Sequence, residues 1–248
     1  MPDKTAIHNN LTCVFNEADH TYKILETGDL LTSVTTVVKR YTPPFNAPIM
    51  AQRMVDKKKA AYVGMTADEI IQQWQEKAKL AAHEGTLAHA YAEQWPETQG
   101  YGFYPQTYRV LLMSQQIDKI LPKLLRRFRI VEAEKLIFSP SMGVGGQIDL
   151  LMADDRTKEG IILDWKFTST ISDESGAFGT MLAPLEHLKH CDVVKYGLQL
   201  GLYEKILNDE NYYPEFIGYR KTLIHIREMF GRVIKVKNYT KEIKYLML

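Results

Sequence analysis

The chain has 248 residues, 45% of them hydrophobic and 25% charged, with a formal net charge of +1. That composition suits an ordinary globular protein with one sizeable core, and no apolar run approaches the roughly 18 residues a membrane span needs, so a membrane role is not expected. The near-neutral total excludes a generalised polycation, and two cysteines, Cys13 and Cys191, cannot build a four-cysteine centre and argue against a disulfide framework, so any metal must be held by carboxylates and histidine.

The opening MPDKTAIHNNLTC lacks the apolar segment and small-residue cleavage site of a secretory signal, so an intracellular setting is expected. Residues 11–41 come in short β-branched bursts, CVF, TYKIL and SVTTVVKRY, which predict a small strand or two with turns at NEADH and ETGD. YTPPFN then stops regular structure, and a linker or loop is expected after it. From Thr66 the period becomes helical. TADE fits a capping box between Thr66 and Glu69, and the helical text runs to Pro96 as two segments bent near Gly85. A loop rich in Gly, Tyr and Pro leads to a further helix from Thr107 to about Phe128, kinked at Pro122.

Three strand candidates follow, RIVEAEKLIFS, GQIDLLMAD and GIILDWKF, the last two joined through DRTKEG as a hairpin. A polar stretch, TSTISDESGAFGTMLAPLEHLKH, precedes VVKYGLQLGLYEKILND, which predicts an amphipathic helix. FIGYRKTLIHIR and GRVIKVKNY alternate as edge strands would. The pattern predicts one α/β or α+β domain over 1–248, with 1–60 an N-terminal strand and loop elaboration, strands carrying the acids and helices flanking them.

Charge is placed unevenly. Lys119, Lys123, Arg126, Arg127 and Arg129 follow one another without an acid, and from Tyr219 onward the basic residues face only Glu228 and Glu242. The first cluster is either a phosphate-tracking surface or a solvated helix face. Tyr101, Phe103, Tyr104 and Tyr108 are either stacking partners for unpaired bases or aromatics under a core, and Tyr41 to Phe45 with Lys57 to Lys59 are a further candidate surface near the site.

The chemistry concentrates in ILDWKF. Period 2 puts Asp164 and Lys166 on one face of a strand, roughly 7 Å apart along it, with Leu163, Trp165 and Phe167 on the other. Hairpin pairing brings Asp149 beside Asp164, and two carboxylates that close raise each other's pKa unless a cation lies between them. Mg²⁺ or Mn²⁺ is the natural cation, since both prefer oxygen ligands and keep open water positions. Glu132 and Glu134 sit on an upstream strand, His89 on a helix, and Gln199 and Tyr203, four apart, share a helix face. Taken alone, an Asp-x-Lys of this kind is more often a strand-end ion pair than a catalytic site.

The order Gly85-Thr86-x-x-His89, strand Glu134, Gly146-x-x-Asp149, Asp164-x-Lys166 and Gln199-x-x-x-Tyr203 resembles the RecB-like branch of the PD-(D/E)XK nuclease superfamily. KYGLQLGLY, SVTTVVKRY and PPFN resemble, more narrowly, phage-type exonucleases related to the mitochondrial genome maintenance exonuclease. The resemblance spans roughly residues 15 to 210. It departs from the superfamily's usual pattern at Ile148, where the namesake proline would stand, and at Asp164, where Glu is commoner.

The resemblance implies a restriction-endonuclease-like core, a central mixed sheet flanked by helices, and a Mg²⁺- or Mn²⁺-dependent hydrolase of DNA phosphodiester bonds. Asp149, Asp164, the Trp165 backbone carbonyl and His89 are then the expected metal ligands. His83 is a decoy, and Glu134 rather than Glu132 is the matching upstream acid. Lys166 would orient water and stabilise the phosphate, with Gln199 and Tyr203 contacting the phosphate or ordering the carboxylates. The expected substrate is the end of a DNA strand, single-stranded by preference, in recombination, repair or replication, in the cytoplasm of a bacterial or phage-infected cell, with a recombination or replication protein as a partner. An endonuclease on the same fold and a non-catalytic DNA-binding accessory protein are the alternatives.

Overall fold

The computed structural model describes residues 4–19, 21–177 and 179–246. Residues 1–3, His20 in the NEADH turn, Phe178 in the polar stretch and residues 247–248 lie outside the described residues. Strands β1 (Lys4–His8), β2 (Leu11–Asn16), β3 (Thr21–Ile24) and β4 (Leu30–Ser33) form an antiparallel meander around Cys13, Phe15, Tyr22, Ile24 and Leu31. The N-terminal region is therefore richer in strands than its sequence predicts.

SVTTVVKRY is not a strand. Ser33 caps helix α1 (Val34–Arg40) by accepting from the Thr36 N–H, and Val34, Val37 and Val38 recur at helical spacing on the buried side. The expected linker also contains a helix, α2 (Ala47–Asp56), capped by Asn46. Helix α3 (Ala67–Thr98) starts with the predicted capping box but runs unbroken through Gly85 for 32 residues, because its buried face at Glu84, Ala88, Tyr91, Ala92 and Trp95 continues in phase past the glycine. Helix α4 (Tyr108–Leu125) starts from a Thr107 cap and carries Pro122 in its last turn.

The strands β5 (Arg129–Ser139), β6 (Val144–Asp154) and β7 (Glu159–Lys166) fall where the sequence places them, with β6 and β7 an antiparallel hairpin. Helix α5 (Asp192–Asp209) is buried over most of its circumference rather than amphipathic, because it lies between the sheet on one side and α1 and helix α6 (Thr240–Leu246) on the other. Strand β8 (Gly218–Ile226) is internal, parallel to β7 and antiparallel to β9 (Gly231–Lys235), so of these two predicted edge strands β9 is an edge and β8 is not. The result is a mixed α/β fold with a nine-stranded mixed sheet flanked by helices. Among the described residues no helix is long and apolar enough to cross a membrane.

The sheet forks at β6. One edge of β6 pairs with β5 along its length. The other edge pairs with β4 only at Val144 and Gly145, and with β7 only from Leu150 to Asp154. Between these ladders, residues 146–149 have an open edge.

Two side chains close over the glycines at the start of β6. A Cβ on Gly146 would lie 2.5 Å from Tyr203 Cε1, and one on Gly145 would lie 2.7 Å from the Tyr22 ring. Both rings therefore rest on bare backbone, which explains Gly146 by packing alone. Gly146→Ala is expected to destabilise the fold by about 1–3 kcal/mol through overpacking against Tyr203. Denaturant unfolding checks this, and unchanged stability would show that the ring is free to move away.

Candidate active site

Three carboxylates stand in line across three strands. Glu134 falls between the pairs Ala133↔Leu150 and Lys135↔Ile148, which sets it opposite Asp149. Continuing the β6–β7 register one step past Leu150↔Leu163 sets Asp149 opposite Asp164. The ladder between β6 and β7 stops there, and the Trp165 N–H donates to Asp149 Oδ2 at 2.7 Å instead of to a strand carbonyl. A strand residue sends its N–H and C=O to the same edge, so the Trp165 carbonyl faces the same gap.

Strand parity holds as read from the sequence. Leu163, Trp165 and Phe167 pack with α3 and α4 in one core cluster. Asp164 and Lys166 face α5, where the Lys166 Nζ lies 2.7 Å from Asp164 Oδ2 and 4.4 Å from the centre of the Tyr196 ring. Gln199 Nε2 donates to Tyr203 Oη at 2.9 Å and to Asp164 Oδ1 at 3.4 Å. The pair thus orders a carboxylate through Gln199. Asp164 Oδ2, by contrast, is buried and has no partner in hydrogen-bond geometry, although the lysine ammonium is close.

His89 enters from α3, its Nδ1 3.6 Å from Asp149 Oδ2. Its ring stands edge-on to Phe167, 4.9 Å between centres. Donor atoms of His89, Glu134 and Asp149 all lie within 4.8 Å of one another, the spacing expected around one cation. Asp164 is outside this trio, held instead by Lys166 and Gln199. His89, Glu134, Asp149, Asp164, Lys166, Gln199 and Tyr203 line one cleft of about 610 Å³.

Glu134 reaches the cleft through an unusual backbone, with φ at 50° in the left-handed region, a conformation that costs a non-glycine residue roughly 1 kcal/mol or more. Its side chain is 15% exposed, against 47% for Glu132, which pairs with Lys135 at 2.9 Å. The left-handed backbone at Glu134 accompanies the separation of two acids that simple alternation would put on one face. His83 is exposed on the far side of α3.

Burial dominates the electrostatics. It raises Asp149, with the Lys166 charge and the Trp165 N–H opposing. It raises Asp164 to about 6, where Lys166 opposes and Asp149 adds to the rise. Glu134 is raised by burial and by the Asp149 charge, with Lys4 opposing. Burial and Lys166 lower His89 to about 4, so its ring is neutral and its nitrogen lone pair available near pH 7. The ring keeps 37% of its side-chain surface, so burial here means crowding in a cleft open on one side. For Lys166 burial alone would lower the pKa, but Asp164 and Asp149 together outweigh it and hold the ammonium above its ordinary value. A neutral imidazole beside carboxylates that resist ionisation is a donor set that fits a divalent cation, with the nitrogen favouring Mn²⁺ over Mg²⁺.

Residues at the site that the sequence does not single out include Glu93, Tyr196, Lys4 and Phe15. Glu93 lies one turn after His89 on α3, at a spacing that sequence alone could have flagged. Tyr196 lies three residues before Gln199 on α5. Lys4 and Phe15 come from the N-terminal strands, and no local pattern points to them.

The outlying candidates fare differently. Arg127 pairs with Asp154, which is fully buried and also bound by Arg220, and Arg129 pairs with Asp155, so these two basic residues have structural partners. Tyr101, Tyr104 and Tyr108 are 82%, 88% and 75% exposed, whereas Phe103 packs on Tyr91. Phe45 is exposed beside Trp74, and Lys57 to Lys59 are exposed. No protein-family model matches the chain, and no curated protein is significantly similar to it.

Carboxylates whose folded pKa is raised make the fold less stable at high pH. Folded protein then binds more protons than unfolded protein, so the penalty is full above the folded pKa and is relieved as pH falls through about 6 toward the ordinary carboxylate range. Asp149→Asn keeps an oxygen for the Trp165 N–H and removes one charge from the row. In chelator at pH 8 it is expected to stabilise the protein by on the order of 1 kcal/mol, with the gain shrinking near pH 5. Denaturant titrations at both pH values check the sign.

Proposed function

We propose that the chain is a metal-dependent deoxyribonuclease with a restriction-endonuclease-like core, hydrolysing phosphodiester bonds from the ends of single-stranded DNA. One observation carries the reading: Asp149, Asp164 and Lys166, the residues of the sequence motif, meet His89 and Glu134 in one cleft. An isolated strand-end ion pair would not gather an imidazole and a third carboxylate around it.

His89, Glu134 and Asp149 would hold the ion, with Asp164 in the same cleft and the Trp165 carbonyl on the edge where its N–H meets Asp149. A bound Mg²⁺ or Mn²⁺ would acidify water and neutralise phosphate charge. Lys166 supplies a fixed positive charge beside the carboxylates. Held above its ordinary pKa it remains an ammonium, which suits it to orienting water and stabilising a phosphate rather than to removing a proton. Gln199 and Tyr203 keep Asp164 in place from behind. The exposed Tyr101, Tyr104 and Tyr108 offer ring faces to unpaired bases, which supports the single-strand preference.

Labelled linear single-stranded, duplex and circular DNA, each with Mg²⁺, Mn²⁺ or chelator, test the proposal. Cleavage is expected only with metal and only on substrates with ends. Cutting of closed circles would replace the end-dependent reading with an endonuclease. Lys166→Ala is expected to lower cleavage by roughly 10²–10³-fold while DNA binding persists, the scale of losing one preorganised group aimed at the transition state. Full turnover in excess chelator would remove the metal from the reading.

A further inference from the structure

We propose that Lys4 is a further positioning residue of this site, an internal counter-ion that the N-terminal strand delivers to Glu134 and Glu93 and that competes with the divalent ion for Glu134. The inference rests on the metal-site reading above. Lys4 Nζ lies 3.0 Å from Glu93 Oε1 and 3.4 Å from Glu134 Oε2, with only 25% of the side chain exposed. Glu134 is one of the three donors grouped around a cation position, so the ammonium and an ion there would share one carboxylate.

The fold fixes this placement. Lys4 pairs in register with Phe15, which lines the same cleft. At the other end of β1, the His8 ring stacks on Tyr212 at 3.7 Å, and its Nε2 donates to the Glu210 carbonyl oxygen at 2.8 Å. The strand is thus pinned to the chain just beyond α5 while its first residue reaches the acids.

The donor spacing points to a single ion, since His89, Glu134 and Asp149 surround one cation position. Acids outnumber lysines in the cleft, and Lys4 and Lys166 pair with Glu93, Glu134 and Asp164, which lowers the negative charge a cation would meet there.

Binding of Mn²⁺ to metal-free protein, followed by the electron paramagnetic resonance signal of free Mn²⁺, tests this with Lys4→Met, Lys4→Arg and Glu93→Gln. The wild type is expected to bind one ion, Lys4→Met to bind it about tenfold more tightly, and Lys4→Arg to bind as the wild type does. Simple loss of structure would weaken binding, the opposite direction. Glu93→Gln leaves Lys4 with Glu134 alone and is expected to weaken Mn²⁺ several-fold, which carries the test if Lys4→Met does not fold. Equal affinity in wild type, Lys4→Met and Glu93→Gln would overturn the role of Lys4 and leave the metal site standing. A wild type that binds no Mn²⁺ would overturn both, and one that binds two would overturn the single cation position.

Discussion

The repulsion between Glu134, Asp149 and Asp164 is the constraint around which this structure is arranged. Cross-strand neighbours sit about 5 Å apart, and like charges placed directly opposite one another destabilise a sheet. Here the conflict occurs twice in one row, across β5, β6 and β7. Neither ladder is regular where the row crosses it. The β6–β7 ladder ends at Leu150 and Leu163, and the β5 backbone turns left-handed at Glu134. The freed Trp165 amide then supplies one of the few neutral donors that a carboxylate in this position can reach.

The flanking elements serve that row. Helix α5 lays Tyr203 on Gly146 and passes Gln199 to Asp164, so a packing contact and a hydrogen bond act through one helix face. Helix α3 presents His89 to Asp149 and, one turn on, Glu93 to Lys4. The N-terminal meander, joined to the sheet through β4, walls the cleft with Phe15 and Tyr22. Removal of any one of these elements would leave a buried carboxylate without its partner, the costly direction for a charged group.

Much of the site was legible because its signals are local. Two-residue spacing fixed the shared face of Asp164 and Lys166, a short polar turn fixed the β6–β7 hairpin, and four-residue spacing fixed Gln199 and Tyr203. Where local signals compete, the reading failed. SVTTVVKRY is rich in β-branched residues, yet a Ser33 cap and a buried valine stripe make it α1. Gly85 looked like a bend, but the buried stripe of α3 carries through it. Lys4 was invisible because its partners lie 89 and 130 residues away, and only the topology of the N-terminal strands joins them.

Asp164 pairs with a lysine while lining the cleft in which His89, Glu134 and Asp149 gather. Its Oδ1 accepts from Gln199, while Oδ2 lies 2.7 Å from the Lys166 ammonium. An oxygen with no nearby cation would be protonated more readily in so buried a place, and the lysine charge opposes that. His89, Glu134 and Asp149 are spaced to hold one cation, and Asp164, in the same cleft, pairs with Lys166, so a cation there and the lysine would act on one shared row of carboxylates.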